Sequence, residues 1–129
     1  MGDMHPSAQL VMSGFQAFAE GDMATMKEIL ADNVAWHTSG RSKFSGSRQG
    51  VDAVLQFFGE VSADAQIEQE LHAILADDEH VVVLVNSKAT RGDDTLDAET
   101  IFVFHVNDGK VTECWSTNFD EYAADAFWG

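Results

Sequence analysis

The sequence has little cysteine, proline or positive charge, and it contains no long hydrophobic run. Cys114 is the only cysteine, so no internal disulfide can form and nothing indicates an oxidising compartment. No segment approaches the roughly 18 apolar residues that a membrane span requires, and residues 1–7 lack the basic start and apolar run of a signal peptide. These absences predict a cytoplasmic protein without a transmembrane segment.

Acidic residues dominate the charge of the chain. It has 22 Asp and Glu residues against 7 Lys and Arg, a formal net charge of -15 at pH 7. Such a field repels phosphate backbones and anionic lipids, so neither nucleic acid nor a membrane is predicted as a partner. A length of 129 residues, 45% of them hydrophobic, is enough for one core. We therefore predict a single domain over residues 4–129 with a solvated acidic surface.

The first half of the chain has the periodicity of helices. Ser7 is the predicted N-cap of a first helix that Gly21 ends, and Asp22 can cap a second helix ending near Asn33. A loop rich in glycine and serine, residues 39–50, precedes a third helix. The predicted apolar faces are Leu10, Val11, Phe15 and Phe18; Met23, Met26, Ile29 and Leu30; and Val51, Val54, Leu55, Phe58 and Val61.

The second half of the chain has the period of strands. From Gln66 onward the period is two, which indicates strands with one solvated face. Asp108 and Gly109 supply the positive φ angles of a tight hairpin, and Asp120 can cap a last short helix. The predicted strands are a short run at 34–38, one from residue 66, and 81–90, 95–106 and 111–118.

This order of elements predicts the fold class. The long strands form an antiparallel meander, so the class is α+β, with three N-terminal helices packed on the concave face of a curved sheet. A strongly twisted sheet with helices across its concave side encloses a cone. The interior of that cone is the expected binding site.

Five local patterns accompany this order of elements and cover nearly the whole chain. They are AEGD at 19–22, DNVAWH at 32–37, the loop 46–50, NDGKV at 107–111 and FDEY at 119–122. With them the chain resembles the nuclear transport factor 2-like superfamily and, within it, the SnoaL-like and ketosteroid isomerase-like proteins. The resemblance implies a cone-shaped domain, frequent dimerisation through the sheet, and an apolar pocket used by isomerases, cyclases, dehydratases, epoxide hydrolases and non-catalytic binders.

Two activities of the superfamily do not fit this sequence. The resemblance places the general base of ketosteroid isomerase on His37, counted back from Gly40. Its protonated aspartic acid, counted back from Asn107, falls on Phe102, and its oxyanion tyrosine falls on Gly14. Without those two donors the enolate lacks its stabilisation, which argues against steroid isomerisation by that mechanism. The epoxide hydrolase pattern needs an arginine between two aspartates inside the cone, whereas Arg91 lies at a predicted turn.

His37 is the candidate catalytic residue, because imidazole titrates near neutral pH and can transfer a proton within a cleft. The alternative is a histidine satisfied by a backbone carbonyl beneath the following loop. His72 and His105 are predicted to lie on the surface or in a dimer interface. No His, Cys, Asp or Glu cluster has the spacing of metal ligands, so neither a metal nor a cofactor is predicted.

The candidate ligand-binding residues follow from strand alternation. Counted from the hairpin, one phase of the last two strands turns inward, and a bulge would instead select the phase of Trp115 and Thr117. Phe18 and Phe58 close the cone from the helices. The predicted inward residues of the strands are Thr100, Phe102, Cys114, Ser116 and Asn118.

The loop before the third helix is basic, since Arg41, Lys43 and Arg48 occur there without an acid. These bases either form a rim for an anionic or carbonyl-bearing ligand or pair with nearby acidic helices. Phe44 in the same loop is a candidate lid residue.

We therefore expect a small-molecule enzyme that transfers protons to or from an apolar or carbonyl-bearing substrate. His37 is the predicted acid or base, and Asn118 or Ser116 is predicted to orient a polar atom of the substrate. Non-catalytic binding of a small apolar ligand and a pure dimerisation module remain open. A homodimer is predicted because Ile101, Val103 and Trp115 supply more apolar surface than a one-sided sheet needs.

Overall fold

The computed structural model describes residues 4–129, and residues 1–3 lie outside the described part of the chain. Four helices and six strands make up the domain. The helices are α1 Pro6–Glu20, α2 Met23–Ile29, α3 Val51–Asp64 and α4 Glu121–Trp128. The strands are β1 Leu30–Thr38, β2 Gly46–Gln49, β3 Gln66–Ala76, β4 His80–Arg91, β5 Asp94–Asn107 and β6 Lys110–Asn118.

The helix ends follow the capping residues with two corrections. α1 is capped by the ring of His5 rather than by Ser7, because Pro6 occupies the first helical position, where its missing N–H costs nothing. The Asp22 carboxylate caps α2 by accepting from the Thr25 N–H, as predicted. α2 ends at Ile29 instead of near Asn33, since Leu30 is already extended and begins β1.

The strands form one sheet in the order β2-β1-β6-β5-β4-β3. All neighbours are antiparallel except β1 and β6, which run parallel. The prediction of a loop over residues 39–50 is wrong at 46–49, where β2 pairs with β1. A four-residue strand of Gly, Ser, Arg and Gln has no apolar alternation by which the sequence could reveal it.

A bulge sets the inward phase of β6. Val111 pairs with Val106 and Glu113 with His105, so Thr112 has no partner of its own across the ladder. The extra residue shifts the alternation, and both Val111 before it and Cys114 after it are buried on the concave face. The bulge thereby turns Cys114, Ser116 and Asn118 toward the helices and Trp115 outward. The inward phase is the predicted one, but the expectation that a bulge would select Trp115 and Thr117 is wrong, because the extra residue is what brings Cys114 opposite Phe104.

The core lies between the concave face of the sheet and the helices. Its fully buried side chains come mainly from β4 and β6, with Val34 of β1 and Val54 of α3; those of β4 and β6 are Val81, Val83, Val85, Val111 and Cys114. A smaller cluster under α4 contains Leu96 and Phe127. The sheet is curved but does not close into a barrel, and the predicted α+β class with helices on its concave face is confirmed. No helix within residues 4–129 has the length and hydropathy to span a membrane.

Candidate functional site

A cavity of about 200 Å³ lies between the concave face of the sheet, α1, α3 and α4. Nine of its lining residues are aromatic, and most of the neighbouring rings pack edge to face. The centroids of Trp36 and Phe58 are 4.8 Å apart, and those of Phe15 and Phe102 are 5.2 Å apart. Such packing holds the rings in fixed positions. The aromatic lining residues are Phe15, Phe18, Trp36, Phe44, Phe57, Phe58, Phe102, Phe104 and Trp128.

A groove of about 310 Å³ runs between α1 and β3 beside the cavity. Four side chains line both spaces, namely Phe15, Phe18, Ile67 and Gln69. These four side chains are therefore the wall between the groove and the cavity.

Four polar side chains of the cavity gather where β1, β6 and β5 lie side by side, a group we call the polar end, while Gln69 and Ser87 line the cavity from β3 and β4. Thr38 and Ser116 are partners across the parallel β1–β6 pair, and Thr100 and Asn118 are partners across β5 and β6. The Thr100 hydroxyl donates to the Asn118 Oδ1 over 2.9 Å. The Thr38 Oγ1 is buried and has no hydrogen-bond partner among residues 4–129. One hydroxyl of this polar end is thus left free for another molecule.

Asp125 is the only ionisable side chain among the described residues that line the cavity. It lies on α4, and its Oδ1 accepts a hydrogen bond from the Arg41 N–H over 2.9 Å. The same helix contributes Trp128 to the lining. A carboxylate that is held by one backbone N–H at the edge of an apolar cavity is a suitable proton acceptor.

Glu121, one turn before Asp125, joins the polar end to α4. Its Oε1 accepts from the Ser39 hydroxyl over 2.6 Å and from the Asn118 N–H over 2.7 Å. Burial raises the pKa of Glu121, but these hydrogen bonds and weaker ones from the side chains of Asn118 and Thr117 more than offset it, so the pKa is below its ordinary value. Glu121 is therefore an ionised structural anchor.

Six of the seven predicted ligand-binding residues line the cavity, namely Phe18, Phe58, Thr100, Phe102, Ser116 and Asn118. Cys114 does not line it. It faces the same side of β6 but is completely buried in the core. Burial raises the pKa of the Cys114 thiol well above its ordinary value, so the thiol is unreactive.

His37 does not face the cavity, which corrects the expectation of an inward imidazole. In β1 the side chains alternate, and the cavity receives Trp36 and Thr38, so His37 points to the opposite, convex face of the sheet. There its Nδ1 lies 2.7 Å from the Ser47 Oγ and its Nε2 lies 2.7 Å from the Glu113 Oε2. The alternative of a backbone carbonyl as its partner is also wrong.

Gly14, Phe102 and Arg91 are the residues that do not fit steroid isomerisation or epoxide hydrolysis. Gly14 and Phe102 both line the cavity, and neither side chain can donate a hydrogen bond there. Arg91 lies outside it at the end of β4, where its guanidinium pairs with Asp64 over 2.8 Å and donates to the Phe127 carbonyl.

Two of the three bases of the predicted basic loop have partners within the protein. Lys43 pairs with Asp64 at the end of α3 over 3.1 Å. The Arg48 guanidinium lies 4.0 Å from the centroid of the Phe57 ring and donates to the Phe44 carbonyl. These contacts favour pairing inside the fold over a rim for an anionic ligand.

Most of the lining residues were not predicted, among them Thr38 and Asp125. Strand alternation around Trp36 could have identified Thr38 if the inward phase of β1 had been known. On α4, Asp125 and Trp128 are three residues apart and so share a face. The only sequence signal for Asp125 is thus its spacing of three residues from Trp128. No group of three or more His, Cys, Asp or Glu within residues 4–129 is arranged to hold a metal ion.

The chain is similar to proteins of a known family in both sequence and structure. The model of the SnoaL-like domain matches residues 12–114. The chain is 29% identical to an uncharacterized protein of Mycobacterium tuberculosis over 92% of this chain and 93% of that protein. Among solved structures it is similar to Bal32a from a soil-derived mobile gene cassette, at 32% identity and a TM-score of 0.92, covering 96% of this chain and 97% of Bal32a.

A more distant likeness concerns the fold alone. A nuclear transport factor 2-like protein of Burkholderia xenovorans has 19% identity and a TM-score of 0.82, over 98% of each chain. The resemblance to this superfamily that the local patterns indicated is confirmed.

Proposed function

Because the chain belongs to the SnoaL-like domain family and surrounds an aromatic cavity, we propose that the protein binds a small, mostly apolar molecule there. A hydroxyl or carbonyl group of that molecule lies at Thr38 and Ser116. Cys114 has no second cysteine with which to form a disulfide. Folding therefore needs no oxidising environment, and we propose that the protein acts in the cytoplasm.

The size and walls of the cavity support this class of ligand. An apolar cavity of about 150 Å³ is enough to hold benzene, and the cavity here measures about 200 Å³. One aromatic ring or two fused rings match that space. Edge-to-face contacts with rings such as Trp36 and Phe102 favour a planar ligand over a flexible chain.

The free hydroxyl of Thr38 is the observation that carries the proposal. A buried polar group without a partner costs about 1–3 kcal/mol, and this oxygen is buried at the polar end of the cavity. A ligand hydroxyl or carbonyl at that point would remove the cost. Ser116 lies beside Thr38 across the strand pair and offers a second hydroxyl.

A thermal-shift series tests the proposal with three planar molecules of similar size, namely naphthalene, 2-naphthol and 2-acetylnaphthalene. We expect all three to raise the Tm and the two polar ones to raise it most, since a ligand at a hundred times its Kd stabilises a protein by about 2.7 kcal/mol. Equal shifts from naphthalene and 2-naphthol would contradict the role of the polar end, and no shift from any of them would contradict the class of ligand.

The Thr38→Val variant should separate stability from binding. Valine removes an unpaired buried hydroxyl at almost constant volume, so the Tm of the free protein should stay the same or rise, while the affinity for 2-naphthol should fall about tenfold. Thr100→Val is the matched control. Because the Thr100 hydroxyl donates to Asn118, this variant should lose stability. A Thr38→Val protein that binds 2-naphthol as the parent does would exclude Thr38 as a ligand contact.

Acid/base catalysis in the same cavity is the second candidate function. The observation that favours it is Asp125, the single ionisable side chain that lines the cavity among the described residues. In this hypothesis the Asp125 carboxylate takes a proton from carbon beside a carbonyl group of the bound molecule. Thr38 and Ser116 then donate to the carbonyl oxygen as it becomes negative.

The convex face of the sheet also supports a homodimer, which we propose as the functional state. Trp115 on that face is 38% exposed and Leu75 is 59% exposed. We call the apolar side chains around them the convex patch; they are Leu75, Val82, Leu84, Ile101, Val103 and Trp115. Apolar surface of this kind, rimmed by polar residues, is typical of an interface between proteins.

A charge placed in the convex patch should convert the dimer to a monomer. Val103→Glu puts a carboxylate at the centre of the patch, where its desolvation costs more than the contacts return. Ala53→Glu, which adds the same charge to an exposed position of α3, is the control and should remain dimeric. Sedimentation velocity at micromolar concentration provides the measurement, and a parent protein that sediments only as a 14.1 kDa monomer would refute the homodimer.

A further inference from the structure

The imidazole of His37 links a hydroxyl to a carboxylate on the convex face, away from the cavity. Its Nδ1 is 2.7 Å from the Ser47 Oγ, and its Nε2 is 2.7 Å from the Glu113 Oε2. The side chains of His37 and Glu113 are 29% and 33% exposed, so solvent reaches the group without surrounding it. Serine nucleophiles are activated by the same arrangement, in which a base contacts the hydroxyl and a third group orients the base.

The sheet holds these three side chains together. His37 and Ser47 are partners in the antiparallel β1–β2 pair. The Gly50 N–H donates to the Val34 carbonyl, and alternation from that bond makes 37 and 47 a non-hydrogen-bonded pair, whose side chains lie closest. On the other side, the His37 ring stacks on Trp115 with centroids 5.3 Å apart.

The hydrogen bond to Glu113 selects the tautomer of the neutral His37 ring in which Nδ1 can act as a base. As the carboxylate accepts the Nε2–H, the proton of the neutral ring stays on Nε2 and the lone pair of Nδ1 faces the Ser47 hydroxyl. A second histidine stands behind the carboxylate, with the His105 Nδ1 3.9 Å from the Glu113 Oε1. The chain of contacts therefore runs from Ser47 through His37 to Glu113.

We propose that Ser47 is an activated nucleophile and that this group is a second site, which accepts acyl groups from small activated esters. The Ser47 Oγ attacks the ester carbonyl while His37 Nδ1 takes the hydroxyl proton. The bond to the leaving alcohol then breaks, and that alcohol receives the proton from His37. Water, deprotonated by His37, releases the acid and restores Ser47.

One hydrogen-bond donor for the developing oxyanion is present at the site. β2 is an edge strand, and the alternation that sets the 37–47 pair turns the Ser47 N–H away from β1 toward the open edge. An N–H at the nucleophile itself can face the carbonyl oxygen that becomes negative. The site therefore offers donor, base and nucleophile on neighbouring atoms.

The site is independent of the cavity, and it borders the convex patch at Trp115, on which the His37 ring stacks. Ser47 lies on the opposite side of the sheet from Asp125, and β1 and β6 separate its strand from β5, where Ile101 and Val103 lie. Three strand spacings amount to about 14 Å. The cavity variant Asp125→Asn should therefore leave the reaction at Ser47 unchanged.

Acetylation by p-nitrophenyl acetate tests the proposal. We expect one acetyl group on Ser47, located by peptide mass spectrometry, and loss of that adduct in Ser47→Ala. In His37→Gln the rate of acetylation at Ser47 should fall at least about a hundredfold, and in Glu113→Gln about tenfold.

Two variants at exposed positions serve as controls for Ser47→Ala and His37→Gln. Ser62→Ala and His72→Gln change the same residue types at exposed positions and should be acetylated at Ser47 as the parent is. The Tm of each variant shows whether it is folded. Acetylation confined to lysines or the N-terminus, or equal acetylation of Ser47 in the parent and His37→Gln, would overturn the proposal and leave the Ser47–His37–Glu113 group as a structural contact.

Discussion

Replacing Gly40 with alanine should lower the free energy of unfolding by about 2–4 kcal/mol. Gly40 has a φ of +93°, a conformation that costs any residue with a Cβ. A methyl group at this position would also overlap the carboxylates of Asp125 and Glu121. The carboxylates accept hydrogen bonds from Ser39 and Arg41 of the loop and from the Asn118 N–H of β6, so neither can withdraw freely. Equilibrium unfolding in urea gives the measurement.

Gly46→Ala separates the two causes of that loss. Gly46 has a φ of +110°, but its added methyl group would meet no atom within 4 Å. This variant should therefore show the backbone cost alone, about 1–2 kcal/mol. If Gly40→Ala is no less stable than Gly46→Ala, the close approach of α4 to the loop contributes nothing. A clear difference would show that the overlap with the α4 carboxylates accounts for the rest of the loss in stability.

The architecture could be predicted from the sequence because its long strands and helices each have one apolar face. Val81, Val83 and Val85 alternate with more exposed residues in β4, and this period survives in the structure. Alternation fixes the relative phase within a strand, but not which phase faces the helices. In β6 the bulge at Thr112 decided that question, and a bulge leaves no signal in a single sequence.

The position of His37 shows how a correct fold can accompany a wrong site. Counting back from Gly40 located the right strand, yet a shift of one residue turns a side chain to the other face of a sheet. The cavity therefore receives Trp36 and Thr38 instead. The error has a physical cause, since the count passes through a loop whose geometry the sequence does not fix.

Asp125 was missed for a different reason. It occurs in an eight-residue helix at the end of the chain, in a protein with 22 acidic residues, so nothing in composition distinguishes it. Only the packing of α4 across the open end of the cone brings its carboxylate to the cavity. The hydrogen bond between the Arg41 N–H and Asp125 joins residues far apart in sequence, and short-range periodicity cannot predict such a contact.

The Asp125→Asn variant should abolish proton transfer in the cavity if the protein is an enzyme of this type. Asparagine keeps the size of aspartate and an oxygen that accepts from the Arg41 N–H, but it cannot take a proton. We expect the exchange of the methyl-ketone hydrogens of 2-acetylnaphthalene in deuterium oxide, followed by NMR, to slow about a hundredfold to ten-thousandfold. The Tm shift from the same ketone should persist, because its binding rests on the aromatic walls and Thr38.

The control for this experiment is Asp52→Asn, which removes an exposed carboxylate from the first turn of α3 and should exchange as the parent does. Exchange that persists in Asp125→Asn would exclude Asp125 as the base. A parent that binds the ketone without accelerating its exchange would have a cavity for binding alone, since the free hydroxyl of Thr38 then serves recognition and no oxyanion forms beside it. The two functions thus differ in one measurable step, the transfer of a proton from carbon to the carboxylate of α4.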